Sequence, residues 1–292
     1  MSDNNFLLER KLMNESPALH EIFVNCVNAV SNMLDHYVEW FPTYTDHSMR
    51  HALDVIEFCN AIIGEKNIRK LNCDEAFVLL MGCYLHDSGM GISKKNFYEF
   101  IDKIEPNIVL PEDDSEQFRE LIRSYHHELS GEFVKKYGEF FEIPSKEYVF
   151  CISQIARGHR KTDLYDESEY PSDYLLPDGN RVCLPYLAAL IRLADEIDLS
   201  KDRNYKEMYD NAKSFNEFSK NIFNGLDAVK RVEIDNDYFT IDVDAPDEKT
   251  FESVKEMVDK ARDTLVYCRS VVKDRTVFEI SQKELIIKRI SE

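Results

Sequence analysis

Histidine and aspartate occur in this chain where a helix would ordinarily carry only apolar side chains. His51 lies in HSMRHALDV, His86 and Asp87 close the run AFVLLMGCYLHD, His126 and His127 lie in YHHELSGEF, His159 in RGHRKTD and Asp195 in LIRLADEID. Six of the eight histidines (His47, His51, His86, His126, His127, His159) fall between Thr45 and Lys161. A polar group forced into apolar surroundings must be paired, hydrogen-bonded or metal-bound, because burial without a partner costs about 1–3 kcal/mol or more. Imidazole with carboxylate is a typical ligand set for a borderline divalent metal such as Mn, Fe, Ni or Zn. An adjacent His-Asp pair offers two ligand atoms from one rigid helix end, with Asp87 able to bridge two ions. Taken singly, each residue has a simpler explanation. A lone buried histidine is more often a satisfied core residue, and Asp195 can pair with Arg192. The ordered set is what points to a metal.

Helices must position these groups. Leu19, Phe23, Cys26, Val30 and Leu34 recur at helical spacing and predict an amphipathic helix over 15–40, broken near Pro42. A second helix is expected over 47–63, with Ala52, Ile56, Cys59 and Ile63 on one stripe, and a third, nearly all apolar, over 74–87. Gly89 and Gly91 read as the glycine signals that stop it. A short helix and a loop fill 92–113, ending in the acidic PEDDSEQ, and helical periodicity returns over 115–137 and 145–157. In the long connection 161–183, YLLPDGNRVCL reads as a small hairpin around Pro-Asp-Gly-Asn. Pro185 suits the first turn of a helix over 185–198. Beyond about residue 205 the texture changes: a helix near 206–222, a hairpin of VKRVEID and YFTIDVDA, a helix over 247–269 and a last strand, ELIIKRI. Mainly helical sequence is thus followed by a mixed α/β third.

Composition narrows the functional classes. The 292 residues allow one large domain or two modest ones. The 55 acidic against 36 basic residues, a formal charge of −19, argue against a nucleic-acid polymer as partner. A small phosphorylated substrate remains compatible, since a metal or a few local cations supply the positive field. The seven cysteines are scattered with no C-x-x-C pair, which reads as reduced core thiols and not as a thiolate zinc site. No apolar run approaches the ~20 residues of a membrane span, and the N-terminus lacks a signal-peptide pattern, so a cytoplasmic protein without membrane contact is expected.

Over roughly residues 40–200 the chain resembles the HD superfamily of metal-dependent phosphohydrolases, whose ligands run H…HD…D. His51 in HALDV, His86-Asp87 in LHDSGMG and Asp195 in LIRLADEIDLS carry the match. HHELS together with LIRLADEIDLS and the α/β tail is most similar to the HD-CE branch. The resemblance implies an α+β, mainly α fold, with an HD-type helical bundle over 1–204 and a C-terminal α/β region of unknown role over 205–292. It implies one or two divalent ions (Mn, Fe, Ni, Mg or Zn), one held by His51, His86, Asp87 and Asp195. Where HD proteins carry a second ion, His127 matches the H-x-x-x-[GA] helix through Gly131, with His159 and Asp87 completing that site. Neighbouring helical residues point about 100° apart, so only one of His126 and His127 faces the ion. The expectation is that His127 does, leaving His126 to touch substrate, to support the site from behind the ligands, or to lie in solvent.

The implied reaction is hydrolysis of a nucleotide or other small phosphorylated molecule by metal-activated water. HD-related cyclic-nucleotide phosphodiesterases place a proton-donating histidine four residues before the first metal histidine, as His47 stands to His51. Their Y-H-N start is absent here, and helix capping by Asp46 or His47 is the alternative. His47, His126 and Asp87 are the catalytic candidates. Arg157, Arg160 and Lys161, flanking His159, are candidate phosphate clamps, or simply a solvated helix end. PEDDSEQ and 161–183 could form a lid over the site. The cyclic-di-GMP branch, with its D-G-x-G-Y-P element, and the larger (p)ppGpp enzymes do not match. An HD-fold di-iron oxygenase and a non-catalytic HD binding module are the other readings, and homo-oligomerisation stays open.

Overall fold

The most buried element is the helix that ends at His86, and the rest of the chain is arranged around it. The structure is a computed structural model that describes residues 6–35, 41, 47–112, 115–199 and 217–290. Helices α1 (Leu7–Glu15) and α2 (Pro17–Asp35) precede α3 (Met49–Ile68), α4 (Cys73–Leu85), a 3-10 turn (Ser88–Met90), α5 (Lys94–Ile104), α6 (Glu116–Tyr137) and α7 (Lys146–Gly158). A two-stranded hairpin, β1 (Tyr174–Leu175) and β2 (Arg181–Val182), leads into α8 (Leu184–Ile197). Then come α9 (Glu217–Ala228), β3 (Val229–Ile234), β4 (Tyr238–Val243), α10 (Glu248–Arg275) and β5 (Glu284–Arg289). The fold is mainly α with a small α/β part near the C-terminus.

Every residue of α4 from Asp74 to Leu85 is buried, as its unbroken apolar run requires. A capping box of Asn72 and Glu75 fixes its start. Helices α1, α2, α3, α7 and α8 pack around it. The expected helix over 47–63 is present and breaks at Gly64, whose φ of 65° interrupts α3. The expected helix over 15–40 resolves into α2 with a separate α1 before it, and its 36–40 end lies outside the described residues. The 206–222 helix lies largely outside them too; the described part continues to Ala228.

The C-terminal hairpin expected from VKRVEID and YFTIDVDA is β3–β4, antiparallel, and β5 adds in parallel to β4 to give the order β3-β4-β5. Helix α10 packs on both α8 and α9. One cluster of buried apolar side chains includes Leu8 of α1, Leu80 of α4, Leu265 of α10 and Leu285 of β5. The C-terminal elements therefore share the core of the helical part; residues 200–216, where the sequence texture changes, lie outside the described set.

Two sequence expectations are corrected. Gly89 does not cap α4 by a left-handed turn. It lies where a Cβ would strike the His126 carbonyl oxygen and come 2.9 Å from Leu129 Cβ, so it lets the 3-10 turn press against α6. The hairpin end of the 161–183 connection does not flank the site. Asn72 donates to the Arg181 carbonyl (2.7 Å), Asn180 to Asp74 (2.7 Å) and the Cys183 N–H to Glu75 (3.1 Å), which fastens the hairpin to the start of α4. His86 is at the other end of that helix, about 20 Å away at 1.5 Å per residue.

Candidate metal centre

Five helices bring their ends or middles to one point. His51 sits in the first turn of α3, after the N-cap Ser48, whose hydroxyl accepts from the Arg50 N–H at 3.2 Å. His86 and Asp87 follow the C-terminus of α4, His159 follows that of α7, and Asp195 and Asp198 lie at that of α8. Only His126 comes from mid-helix, on α6. Three helix C-termini thus converge, and each carries the negative end of a helix dipole. The local field favours a cation.

The two carboxylate oxygens of Asp87 face different histidines. Oδ2 lies 3.1 Å from His86 Nε2, 3.6 Å from His51 Nε2 and 2.7 Å from His47 Nδ1. Oδ1 lies 3.4 Å from His126 Nε2 and 3.8 Å from His159 Nε2. His51 Nε2 is also 3.2 Å from Asp195 Oδ1. This makes two lobes that share one carboxylate. His51, His86 and Asp195 form the first; His126 and His159 with Asp87 form the second. His51, His86, His126 and His159 are all at most 3% exposed.

Each of the four histidines spends its Nδ1 on an oxygen that can only accept. His86 Nδ1 donates to the Cys83 carbonyl (2.7 Å), His126 Nδ1 to Arg123 (2.6 Å) and His159 Nδ1 to Ala156 (2.6 Å). His51 Nδ1 donates to Asp198 Oδ2 at 2.8 Å. With its Nδ1–H so engaged, each ring in its neutral form presents a bare Nε2 lone pair to the centre. Yet His86 Nε2 is 3.2 Å from His51 Nε2, and His126 Nε2 is 2.9 Å from His159 Nε2. Lone pairs facing each other at that range, beside a carboxylate, fit a cation between them. Burial pushes the His126 ring down to about 3, Asp87 partly opposing, and pushes His159 well below the ordinary range, so both stay neutral. Burial also disfavours ionised Asp87, but His86 and His47 outweigh it and hold the carboxyl well below its usual range. Neutral imidazoles and an ionised carboxylate are the forms a divalent ion requires.

The structure brings together His47, His51, His86, Asp87, His126, His159 and Asp195, and corrects three expectations. His126, not His127, turns inward; His127 Nε2 lies 3.8 Å from Glu128 Oε1, outside both lobes. His126 is accordingly interior, not a solvated or substrate-facing group. Gly131 had singled out His127, but that glycine makes room for Arg157, whose Cγ would lie 2.6 Å from an added Cβ. Arg157 is not a free clamp: Nε and Nη2 bind the Glu128 carboxylate at 2.7 and 2.9 Å and Nη1 lies 3.3 Å from Glu169. Arg160 is half-buried, makes no side-chain hydrogen bond or ion pair among the described residues, and its charge is felt at His126 and His127. Lys161, exposed, is felt at His127 as well. Ser48, not His47, caps α3, and Asp46 lies outside the described residues.

Asp198 was not singled out in the sequence, although it stands three residues after Asp195 and so on the same helical face. It is fully buried and orients His51. All seven cysteines are free thiols, none of them in the cluster. No described helix is long and apolar enough to cross a membrane.

Searches of curated proteins and of solved structures found no match. A family model, HD-CE, matches residues 41–276, which takes in every residue of both lobes and continues through α10. The chain belongs to the HD-CE family, and its buried His/Asp cluster is one that can hold divalent metal ions.

Proposed function

We propose that the protein is a metal-dependent phosphohydrolase acting on a nucleotide or another small phosphorylated molecule. The observation that carries this reading is the set of four Nε2 lone pairs gathered on the two oxygens of Asp87. His51, His86, Asp87 and Asp195 would hold one ion, and Asp87, His126 and His159 the other. An imidazole-rich set suits Fe, Ni or Zn better than Mg, and the carboxylates keep Mn compatible. When bound, such ions supply Lewis acidity toward a phosphoryl oxygen and lower the pKa of water.

The chain's own groups do the rest. Asp87, Asp195 and three helix C-termini repel an anion from the empty cluster, so phosphate affinity is made conditional on the cations. Arg160 and Lys161 supply positive charge beside the second lobe, Arg160 with the planar fork that matches phosphate oxygens. His47 donates Nδ1–H to ionised Asp87 and so stands at the edge of the cluster, where its imidazole can serve as proton donor to a leaving oxygen. Its side chain is 12% exposed and Asp195 is 18% exposed, so substrate approaches from their side.

The test is metal-free protein reloaded with Mn²⁺ or Fe²⁺ and offered nucleotides, phosphomonoesters and phosphodiesters. Metal-dependent release of phosphate or of a nucleoside phosphate is expected. Oxygen uptake with Fe²⁺ and no phosphate product would identify an oxygenase, and tight metal binding with neither would leave a binding module.

A further inference from the structure

The turn that follows His159 is held in place from outside the cluster. Arg192, on α8, donates Nε to the Gly158 carbonyl (2.7 Å) and Nη2 to the Thr162 carbonyl (2.8 Å) and hydroxyl (2.9 Å). Its guanidinium lies over the ring of Tyr267 on α10, 5.2 Å from the centroid. The Tyr267 hydroxyl accepts from the Leu164 N–H (2.8 Å) and donates to Asp163 (3.2 Å), while Arg275, also on α10, donates to the Leu164 carbonyl. Between these anchors Lys161 has a φ of 42°, a left-handed conformation that a residue with a Cβ adopts only when its surroundings impose it.

We infer that Arg192, backed by Tyr267, is the positioning residue of the second lobe: it sets the 158–162 turn, and through it the places of His159 and Arg160. The inference rests on the two-lobed reading of the cluster. It gives the C-terminal helix a part in the metal centre. None of the ligands of the first lobe is on the turn, so the first lobe should not depend on it. Arg192 spans two carbonyls and a hydroxyl with a rigid fork, which a lysine's single ammonium cannot reproduce.

The test compares wild type, Arg192→Met, Arg192→Lys and Tyr267→Phe as full chains. Amide hydrogen exchange over 158–165 is measured in the metal-free proteins, and Mn²⁺ binding is measured by calorimetry. Arg192→Met should speed exchange in that segment and weaken the second Mn²⁺ by about tenfold or more, the range for partners that orient a ligand, while the first Mn²⁺ is held as before. Arg192→Lys should restore part of both, and Tyr267→Phe, which keeps the ring under Arg192, should show a smaller shift in the same direction. Unchanged exchange in Arg192→Met, or equal weakening of both ions, overturns the inference. A single class of Mn²⁺ in wild type overturns the two-lobed reading itself, and the exchange measurement then still decides whether Arg192 holds the turn.

Discussion

The two lobes use the same ring nitrogens and share Asp87, yet they are held by different chemistry. In the first, His51 rests its Nδ1 on the buried carboxylate of Asp198 at 2.8 Å, and Asp195 adds a second negative ligand. In the second, His126 and His159 both rest on backbone carbonyls at 2.6 Å, and the positive charge of Arg160 is felt at His126. A carboxylate behind an imidazole raises its basicity as a ligand more than a carbonyl does. On the proposed reading the first lobe should therefore hold its ion the more tightly. The second is followed by a turn that Arg192 of α8 and Tyr267 and Arg275 of α10 hold in place, and on the proposed reading its ion should be the more easily lost.

The largest effect belongs to the shared group. Asp87→Ala removes a ligand from both lobes, so elemental analysis should find the variant close to metal-free while circular dichroism stays largely helical. Next come the neighbours on α6. His126→Ala should lose the second ion and keep the first, whereas His127→Ala should keep both; the reverse pattern would restore the orientation that Gly131 suggested. Asp198→Asn breaks the comparison from the other side. It should weaken the first ion by about 10–100-fold and leave the second nearly unchanged, read by competition with a chelator.

A smaller effect is on acid stability without metal. His126 has a folded pKa of about 3 against an ordinary value near 6.5, so the unfolded chain binds the extra proton between those values. Its contribution to stability is thus present above about pH 6.5 and is lost as pH falls, by up to about 1.4 kcal/mol per pH unit. His126→Ala should flatten the fall of Tm between pH 6.5 and 4 relative to wild type.

The first lobe was legible in the sequence because its residues interrupt strongly apolar helices: His51 stands on the stripe side of α3, and His86-Asp87 ends a wholly buried run. The second lobe was legible only to within one residue. Choosing between His126 and His127 needs the rotation of α6, and the glycine used to choose it serves Arg157 packing instead. The fate of Arg157 turns on Glu128 and Glu169, and that of Arg192 on the carbonyls of Gly158 and Thr162, pairings that no local pattern announces. The elements themselves were mostly visible from their periodicity. The parallel pairing of β5 with β4 was not, since strand order depends on how the 28 residues of α10 cross between them.

The most direct test of the shared-carboxylate centre is the electron paramagnetic resonance spectrum of the Mn²⁺-saturated protein. Two ions bridged by Asp87 should give a spin-coupled signal that His126→Ala converts to that of isolated Mn²⁺. An isolated-ion spectrum from saturated wild type would contradict the account.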